Sequence, residues 1–165
     1  MKKILLMSDT HGFIDEQILK YVKLCDEVWH AGDIGSFDVV NAISDLKPLK
    51  AVFGNIDDAK MRTEFKENIR FMCEELDVWI THIGGYPNNY DLRIKEAIQN
   101  YPPKLFISGH SHILKVMYDN KLKLLHMNPG AVGKTGIQSV RTMLQFNVSG
   151  QEISDLNVIE LEKRA

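Results

Sequence analysis

Side chains that can bind metal ions interrupt the chain at five places, each directly after a short apolar run. The five segments are Asp9-Thr10-His11-Gly12, Gly32-Asp33, Gly54-Asn55, Thr81-His82 and Gly109-His110-Ser111-His112. The successive intervals between Asp9, Asp33, Asn55, His82 and His110 are 24, 22, 27 and 28 residues. Each interval fits one strand–helix unit. Because ligands of an open α/β sheet bind outside the carboxyl ends of its strands, parallel strands would bring the five segments to one edge.

The residue types in these segments are those that divalent metal ions prefer. Imidazole nitrogens, carboxylates and an amide oxygen together suit Mn, Fe, Zn or Ni. Seven candidate ligands are present: Asp9, His11, Asp33, Asn55, His82, His110 and His112. A single tetrahedral centre takes four ligands, whereas two ions roughly 3.5–4 Å apart can share a bridging carboxylate. The pattern therefore predicts two divalent ions per chain.

The elements that must position these residues alternate between strand and helix in the first two thirds of the chain. Apolar runs predict strands at residues 3–7, 27–30, 49–53, 76–81 and 105–108. Helical spacing predicts helices at residues 15–24, 37–46 and 92–98. The charged segment 60–70 has weak periodicity and receives no assignment. This alternation favours parallel pairing.

The last third of the chain has a different pattern. Apolar or alternating segments occur at residues 116–118, 122–127, 142–148 and 153–161. Asp119-Asn120 and Ser149-Gly150 are typical of hairpin turns. These features predict a β meander.

Length and composition limit the classes of protein that fit. The 165 residues predict one domain spanning residues 1–165. A net charge of −2, from 20 basic and 22 acidic residues, argues against binding to extended nucleic acid. Cys25 and Cys73 are expected to be reduced thiols. The first apolar run is too short for a secretion signal and no run reaches about 18 residues, so we expect a cytoplasmic protein without a membrane span.

Taken in order, the five segments resemble the motifs of the calcineurin-like metallophosphoesterases. The resemblance extends from Met1 to about Gly130, and the chain length is similar to that of the small bacterial and archaeal phosphodiesterase branch. It implies an α/β fold, a four-layer sandwich of two mixed β-sheets flanked by helices. It also implies hydrolysis of a phosphodiester, a small phosphoester substrate, by a hydroxide that two metal ions activate, and self-association into a homo-oligomer. The same branch resembles the retromer subunit of eukaryotes, a scaffold with an impaired metal site.

The resemblance also implies how the ligands divide between the ions. Asp33 would bridge two ions, of which Mn is the expected metal with Fe, Ni or Zn as alternatives. The remaining ligands are Asp9, His11 and His112 for one ion, and Asn55, His82 and His110 for the other. With a bridging hydroxide, the centre would carry about one positive charge, which matches a phosphodiester anion. The residues expected to act in catalysis are Asp33, Asn55, Asp57 and His82.

One position departs from the pattern of many superfamily members. Their Gly-Asn motif continues with a histidine that protonates or stabilises the leaving group, but here the segment is Gly54-Asn55-Ile56-Asp57. Ile56 cannot donate a proton, so acidic leaving groups such as those of aryl esters are favoured. The alternatives are a phosphomonoesterase or nucleotidase, a DNA nuclease, and a non-catalytic scaffold like the retromer subunit.

Several of these residues also have structural interpretations. Asp9, Asp33 and Asp57 each precede a helical segment and could cap it; for Asp57 the alternative is that it orients the site. His30 and His126 lie within or beside apolar runs and are expected to be buried and structural. Gly130 is expected to allow close approach of the backbone to a substrate.

Overall fold

The strands predicted for the first two thirds are continuous apolar runs, which requires that both of their faces be covered. The computed structural model describes residues 1–136 and 138–164. The strands are β1 (Lys2–Met7), β2 (Glu27–His30), β3 (Leu49–Ala51), β4 (Asn68–Cys73), β5 (Leu76–Thr81), β6 (Gly85–Tyr86), β7 (Asn89–Tyr90), β8 (Leu105–Ile107), β9 (Lys115–Asp119), β10 (Leu124–Asn128), β11 (Val140–Ser149) and β12 (Glu152–Lys163). The helices are α1 (Glu16–Leu24), α2 (Phe37–Ser44), α3 (Ala59–Glu64) and α4 (Lys95–Asn100).

These strands form two mixed sheets of five strands and one short hairpin. The first sheet has the order β12-β11-β1-β2-β3, in which β1, β2 and β3 are parallel. The second has the order β4-β5-β8-β10-β9, in which β5, β8 and β10 are parallel. Antiparallel strands complete both sheets, and β6 pairs with β7. The fold expected from the resemblance is confirmed.

Three apolar layers hold the sandwich together. On β1, Ile4 and Leu6 face the second sheet, whereas Leu5 and Met7 pack against α1 and α2. On the outer face of the second sheet, Phe106 packs against α4. The alternation of side chains along each strand thus places apolar side chains on both faces of a sheet. The order of layers is helices, first sheet, second sheet, helix.

The caps of the helices differ from those considered in the sequence. The side chains that accept the capping hydrogen bonds of α1, α2 and α3 are Asp15, Ser36 and Asp58. The interpretation of Asp9, Asp33 and Asp57 as helix caps is therefore wrong. Each of these three carboxylates is free for another role.

Three predictions about the elements need correction. The unassigned segment 60–70 contains most of α3 and the start of β4. Helix α4 begins at Lys95 instead of residue 92, because Asp91 accepts a hydrogen bond from the backbone N–H of Arg93 and forms a turn there. The last third is not a single meander, since β10 pairs with β8 in the second sheet and β11 pairs with β1 in the first.

Cys25 and Cys73 are unpaired and buried, as expected for reduced thiols. They belong to separate apolar layers on opposite faces of the first sheet, which keeps their sulfur atoms apart. Within residues 1–136 and 138–164, no helix has the length and apolar character needed to cross a membrane.

His126 on β10 is buried, and its Nδ1 lies 3.1 Å from the carbonyl oxygen of Phe106. Its expected structural placement is confirmed. Burial lowers the pKa of His126 to about 4, from the ordinary value of 6.5. Between these pH values the unfolded chain binds a proton that the folded chain excludes. The free energy of unfolding therefore falls as the pH falls from 6.5 towards 4.

We predict that His126→Gln weakens this acid sensitivity. The wild type should lose roughly 3 kcal/mol of its free energy of unfolding between pH 6.5 and 4 through this group. The substitution removes the titrating group, so the variant should not show this loss. Urea unfolding at half-unit pH steps measures how steeply the free energy of unfolding changes with pH in the wild type and in the variant. Equal slopes would show that His126 is protonated in the folded protein.

Candidate metal centre

The carboxyl ends of strands from both sheets meet at one end of the sandwich. In the first sheet, β1 leads to Asp9 and His11, β2 to Asp33, and β3 to Asn55. In the second sheet, β5 leads to His82, and β8 leads to His110 and His112. The expectation that one sheet edge carries all five segments is wrong, because the chain crosses to the second sheet after β3. The seven predicted ligands are nevertheless brought together; that they bind metal ions stays a prediction.

A first group of donors surrounds Asp9. Its Oδ1 lies 3.1 Å from His112 Nε2 and 3.6 Å from His11 Nε2. Asp33 Oδ2 lies 3.4 Å from the same nitrogen of His11. One donor atom each from Asp9, His11 and His112 lies within 4.8 Å of the other two, a spacing at which one ion can be held.

A second group shares Asp33 with the first. Asp33 Oδ2 lies 3.2 Å from His82 Nε2, and His110 Nδ1 lies 3.0 Å from Asn55 Oδ1. Donor atoms of Asp33, His82 and His110 again lie within 4.8 Å of one another. Asp33 Oδ2 therefore faces imidazoles of both groups, as a bridging carboxylate must.

Within the described part of the chain, three ring nitrogens of the cluster lack hydrogen-bond partners, and two of them, in His11 and His82, face carboxylates. Among the described residues, His11 Nε2, His82 Nε2 and His112 Nδ1 are buried without a hydrogen bond. His82 Nδ1 lies 2.7 Å from the carbonyl oxygen of Ala31, which can only accept, so this nitrogen carries the proton of the neutral ring. In this neutral ring the lone pair of His82 Nε2 points at the Asp33 carboxylate, an arrangement that a cation between them would satisfy. The donor set fits divalent ions.

The electrostatics of the cluster favour anionic carboxylates. Burial opposes ionisation of Asp9 and Asp33, but close contacts with His11 and with a second imidazole hold the pKa of both carboxyls well below its usual range. The second imidazole is that of His112 for Asp9 and that of His82 for Asp33. Contacts with Asp33 and Asp9 raise the pKa of His11 to about 9. Against the effect of its burial, Asp33 also raises the pKa of His82. The two carboxylates thus stay anionic near pH 7, the state in which they can bind a metal ion.

Burial lowers the pKa of His110, and the neighbouring charge of His82 lowers it further. Its ring is therefore neutral near pH 7, the state in which an imidazole nitrogen can bind a metal ion.

The backbone at the candidate ligands adopts the left-handed conformation. Of the nine non-glycine residues with positive φ in the described part of the chain, five are candidate ligands: Asp9, His11, Asp33, His110 and His112. Their φ values lie between 48° and 69°. Such conformations are uncommon outside glycine and cluster at functional sites, where the surrounding structure holds them.

Two motif glycines allow this close packing. A Cβ at Gly54 would overlap the backbone N and the Oδ1 of Asp33, and a Cβ at Gly109 would overlap Ser8 Oγ. The glycines of the Gly-Asn and Gly-His motifs therefore let the loops approach the carboxylates. Gly130 also has a positive φ, and a Cβ there would overlap the Thr142 hydroxyl, so local packing requires a glycine; its expected approach to a substrate stays a prediction.

Asp57 joins the loops that carry Asp33 and Asn55. Its carboxylate accepts hydrogen bonds from the backbone N–H groups of Ile34, Gly35 and Gly54, at 3.1, 2.7 and 2.8 Å. The structure therefore favours the interpretation of Asp57 as a residue that orients the site.

Three further residues support the centre, and the sequence singled out only Asn128, as part of an Asn-Pro-Gly segment that resembles a family loop near the site. Ser8 donates to Asp9 Oδ2 at 2.6 Å, Asn128 donates to the carbonyl oxygen of Gly109 at 3.0 Å, and Arg62 donates to the carbonyl oxygen of Asn55 at 3.2 Å. The position of Ser8 next to a ligand was an available signal. Arg62 lies in the unassigned segment, and the sequence contains no signal for its contact.

His30 is buried and hydrogen-bonded, as expected. The backbone N–H of Gly32 donates to its Nδ1 at 3.1 Å, so Nε2 carries the proton and donates to Thr10 Oγ1 at 3.0 Å. Burial lowers the pKa of His30 to about 4. The ring therefore stays neutral and braces the loops on either side of the centre.

Comparison with known proteins identifies relatives with the same overall organisation. The sequence profile of the calcineurin-like phosphoesterase superfamily domain matches residues 1–151. A probable metallophosphoesterase of Mycoplasma genitalium is 30% identical over 169 residues, which cover 96% of this chain and 94% of the relative.

Solved structures share the fold at lower identity. Vps29 of Chaetomium thermophilum has a TM-score of 0.76 at 13% identity, with all of both chains covered. A novel archaeal phosphodiesterase has a TM-score of 0.74 at 22% identity, with 96% of this chain and 99% of that chain covered. At these identities the likeness shows the fold alone.

We predict that Asp33→Ala abolishes binding of both metal ions, because the substitution removes the carboxylate oxygen that faces both groups. The wild type should retain two Mn²⁺ per chain after dialysis, and the variant should retain none. Elemental analysis measures the stoichiometry, and Asp38→Ala on α2 is a control that removes a nearby carboxylate outside the cluster. One ion per wild-type chain, or two in Asp33→Ala, would contradict the bridge.

Asp57→Ala should weaken metal binding without removing a ligand. The truncation leaves three backbone N–H groups without their acceptor and frees the loops of Asp33 and Asn55. We expect the affinity for Mn²⁺, measured by calorimetry, to fall about 10–100-fold, as is usual for residues that orient ligands. The control is Asp58→Ala, which removes the cap of α3 and about 1 kcal/mol of stability. Equal losses of affinity in the two variants would assign Asp57 a merely structural role.

Proposed function

Because the chain belongs to the calcineurin-like phosphoesterase superfamily and is a metal-dependent phosphoesterase, we propose that it hydrolyses phosphodiesters with two divalent ions, of which Mn is the first candidate. The observation that carries the proposal is the pair of donor groups joined at Asp33. Asp9, His11 and His112 would hold one ion, and Asn55, His82 and His110 the other. Two such ions lower the pKa of water and stabilise charge on the attacking and leaving oxygens.

The residues of the chain have distinct tasks in this proposal. The carboxylates of Asp9 and Asp33 offset only part of the charge of two divalent ions, so the centre attracts a phosphoester anion. Asp57 accepts a hydrogen bond from the backbone N–H of Gly54, and Arg62 donates one to the carbonyl oxygen of Asn55. These two bonds keep the loop of Asn55 in place. The positions of the ligands are set before substrate arrives, which reduces the reorganisation that the reaction requires.

Two grooves beside the centre favour a diester over a monoester. The hairpin groove, of about 540 Å³, extends from Gly109 and His110 along the β6–β7 hairpin. The arginine groove, of about 300 Å³, extends from Asn55 and His82 towards Arg62 and Arg93. A phosphodiester has two substituents, one for each groove, whereas a monoester would fill only one.

Position 56 favours substrates with acidic leaving groups. The Ile56 side chain is 45% exposed and contains no proton donor, and its backbone N–H donates to Asp33 Oδ1 at 3.0 Å. Protonation of a leaving alkoxide from this residue is therefore excluded. Aryl diesters, whose phenolate leaving groups need no protonation, fit this site best.

The second candidate function is that of a non-catalytic scaffold like the retromer subunit, and the fold similarity to Vps29 favours it. The set of seven candidate ligands, with three buried imidazole nitrogens left without a hydrogen bond among the described residues, argues for catalysis instead. Measurements of turnover distinguish the two candidates.

We predict that the Mn²⁺-loaded protein hydrolyses bis(4-nitrophenyl) phosphate with a kcat/KM at least about tenfold above that for 4-nitrophenyl phosphate. The reason is that the diester fills both grooves and carries one negative charge. Release of 4-nitrophenolate measures both reactions, with the Asp33→Ala protein as the control for contaminating phosphatases. Faster hydrolysis of the monoester would identify a phosphomonoesterase, and no turnover with Mn²⁺, Fe²⁺, Ni²⁺ or Zn²⁺ would favour the scaffold.

A further inference from the structure

The hairpin groove is a preformed cleft that begins at the candidate centre. One wall is the β6–β7 hairpin, and the other is the loop from Gly109 to Ile113. Its volume of about 540 Å³ lies within the range of about 300–1,000 Å³ that is typical of small-molecule sites. Because His110 lies at its inner end, a substituent on a phosphorus bound at the centre would enter the groove directly.

Two contacts hold the hairpin wall against the second sheet. The Tyr90 hydroxyl donates to Asp119 Oδ2 at 2.7 Å, and Lys115 Nζ lies 3.6 Å from the centroid of the Tyr86 ring. Asp119 is itself held in place by the backbone N–H groups of Lys121 and Leu122. The wall is thus fixed before a ligand binds, which lowers the entropy lost on binding.

The chemistry of the groove suits a planar ring with a polar edge. Tyr86, Leu92 and Ile113 line it, and they are 39%, 88% and 48% exposed. Asn88 and Asn89 add amide groups that can both donate and accept hydrogen bonds. Aromatic and apolar walls bind the faces of rings, and amide groups bind their edges.

The arginine groove differs in character. Arg62, Arg93 and Glu67 are three of the nine residues that line it, whereas three charged residues, Asp91, Lys95 and Lys115, are among the 17 that line the hairpin groove. The arginine groove is also smaller in extent. An uncharged ring is therefore better accommodated in the hairpin groove than in the arginine groove.

We propose that the hairpin groove binds one ester substituent of the substrate, and that this substituent is the planar ring of a nucleoside or aryl group. The inference rests on the proposed phosphodiesterase function for the position of the phosphorus. It adds the class of substrate, which is a phosphodiester with at least one aromatic or heteroaromatic substituent. Tyr86 and Ile113, on opposite walls, are the residues that determine this specificity.

The test compares two probes that share the charged group and differ in the ester substituent, which is a nucleoside in one and a methyl group in the other. Thymidine 5′-methylphosphonate and methyl methylphosphonate each carry one negative charge on a phosphonate. Their affinities for the Mn²⁺-loaded protein are measured by calorimetry without turnover. Both probes contact the metal ions through the same group, so differences in metal occupancy cancel in the ratio of the two affinities. The ratio therefore measures how much the groove contributes to binding of the larger substituent.

We expect the wild type to bind the thymidine probe at least about tenfold more tightly, and the ratio to fall roughly fivefold or more in Tyr86→Ala and in Ile113→Ala. Tyr101→Ala is the matched control, since Tyr101 is 74% exposed and lies outside the groove. Thermal melting establishes that each variant is folded. Two variants on separate walls keep the test valid if one of them fails to fold.

A wild-type ratio near one, or a ratio unchanged in both groove variants, would overturn the inference. A ratio that depends on Tyr86 and Ile113 in a protein that hydrolyses no diester would support the groove and overturn the proposed function. A ratio that falls equally in Tyr101→Ala would assign the loss to a general effect on the protein, and would also overturn the inference.

Discussion

The Asp33 carboxylate belongs to the first sheet, and the imidazole of His82 that faces it at 3.2 Å belongs to the second. This contact can form only if the two sheets pack with a fixed separation and register. The apolar layer between them, built from residues such as Leu6, Trp29 and Ile80, sets that separation. Interiors of this kind are close-packed and resist deformation, so a change in the core would be transmitted to the donor atoms.

The loops around the centre are held by polar contacts rather than by apolar packing. Asp57 accepts hydrogen bonds from three backbone N–H groups. Asn128 donates to the Gly109 loop, and Ser8 donates to Asp9. These hydrogen bonds offset the unfavourable left-handed backbone at the candidate ligands. The ligand loops are therefore rigid because each of them is tied to a neighbour across the end of the sandwich.

The same arrangement leaves the surroundings of the centre open. The helices cover the outer faces of the sheets, and the short β6–β7 hairpin lies beside the ligand loops. That hairpin forms the wall of the larger groove, and the segment around α3 supplies Arg62 to the smaller one. Substrate selection in this protein thus depends on two short segments, while the chemistry depends on strand ends that come from both sheets.

The sequence alone was sufficient to identify the seven candidate ligands and the strands that precede them. Apolar runs that end in polar residues and glycine are local signals, and five of them in order carried the family resemblance. Local signals do not specify which strands pair. The division of the strands between two sheets, the placement of β10 beside β8, and the contact of His82 with Asp33 were therefore decided only by the tertiary structure.

The same reason explains the smaller differences between the sequence-based predictions and the structure. Asp57 and Asp58 are adjacent and chemically identical, and only the packed loops decide that Asp58 caps α3 whereas Asp57 binds the backbone beside Asp33. Arg62 reaches Asn55 because α3 folds back over that loop, and the hairpin groove exists because Tyr90 meets Asp119 across 29 residues of chain. Contacts between residues far apart in sequence depend on the assembled sandwich, and the order of residues along the chain does not contain them in a locally readable form.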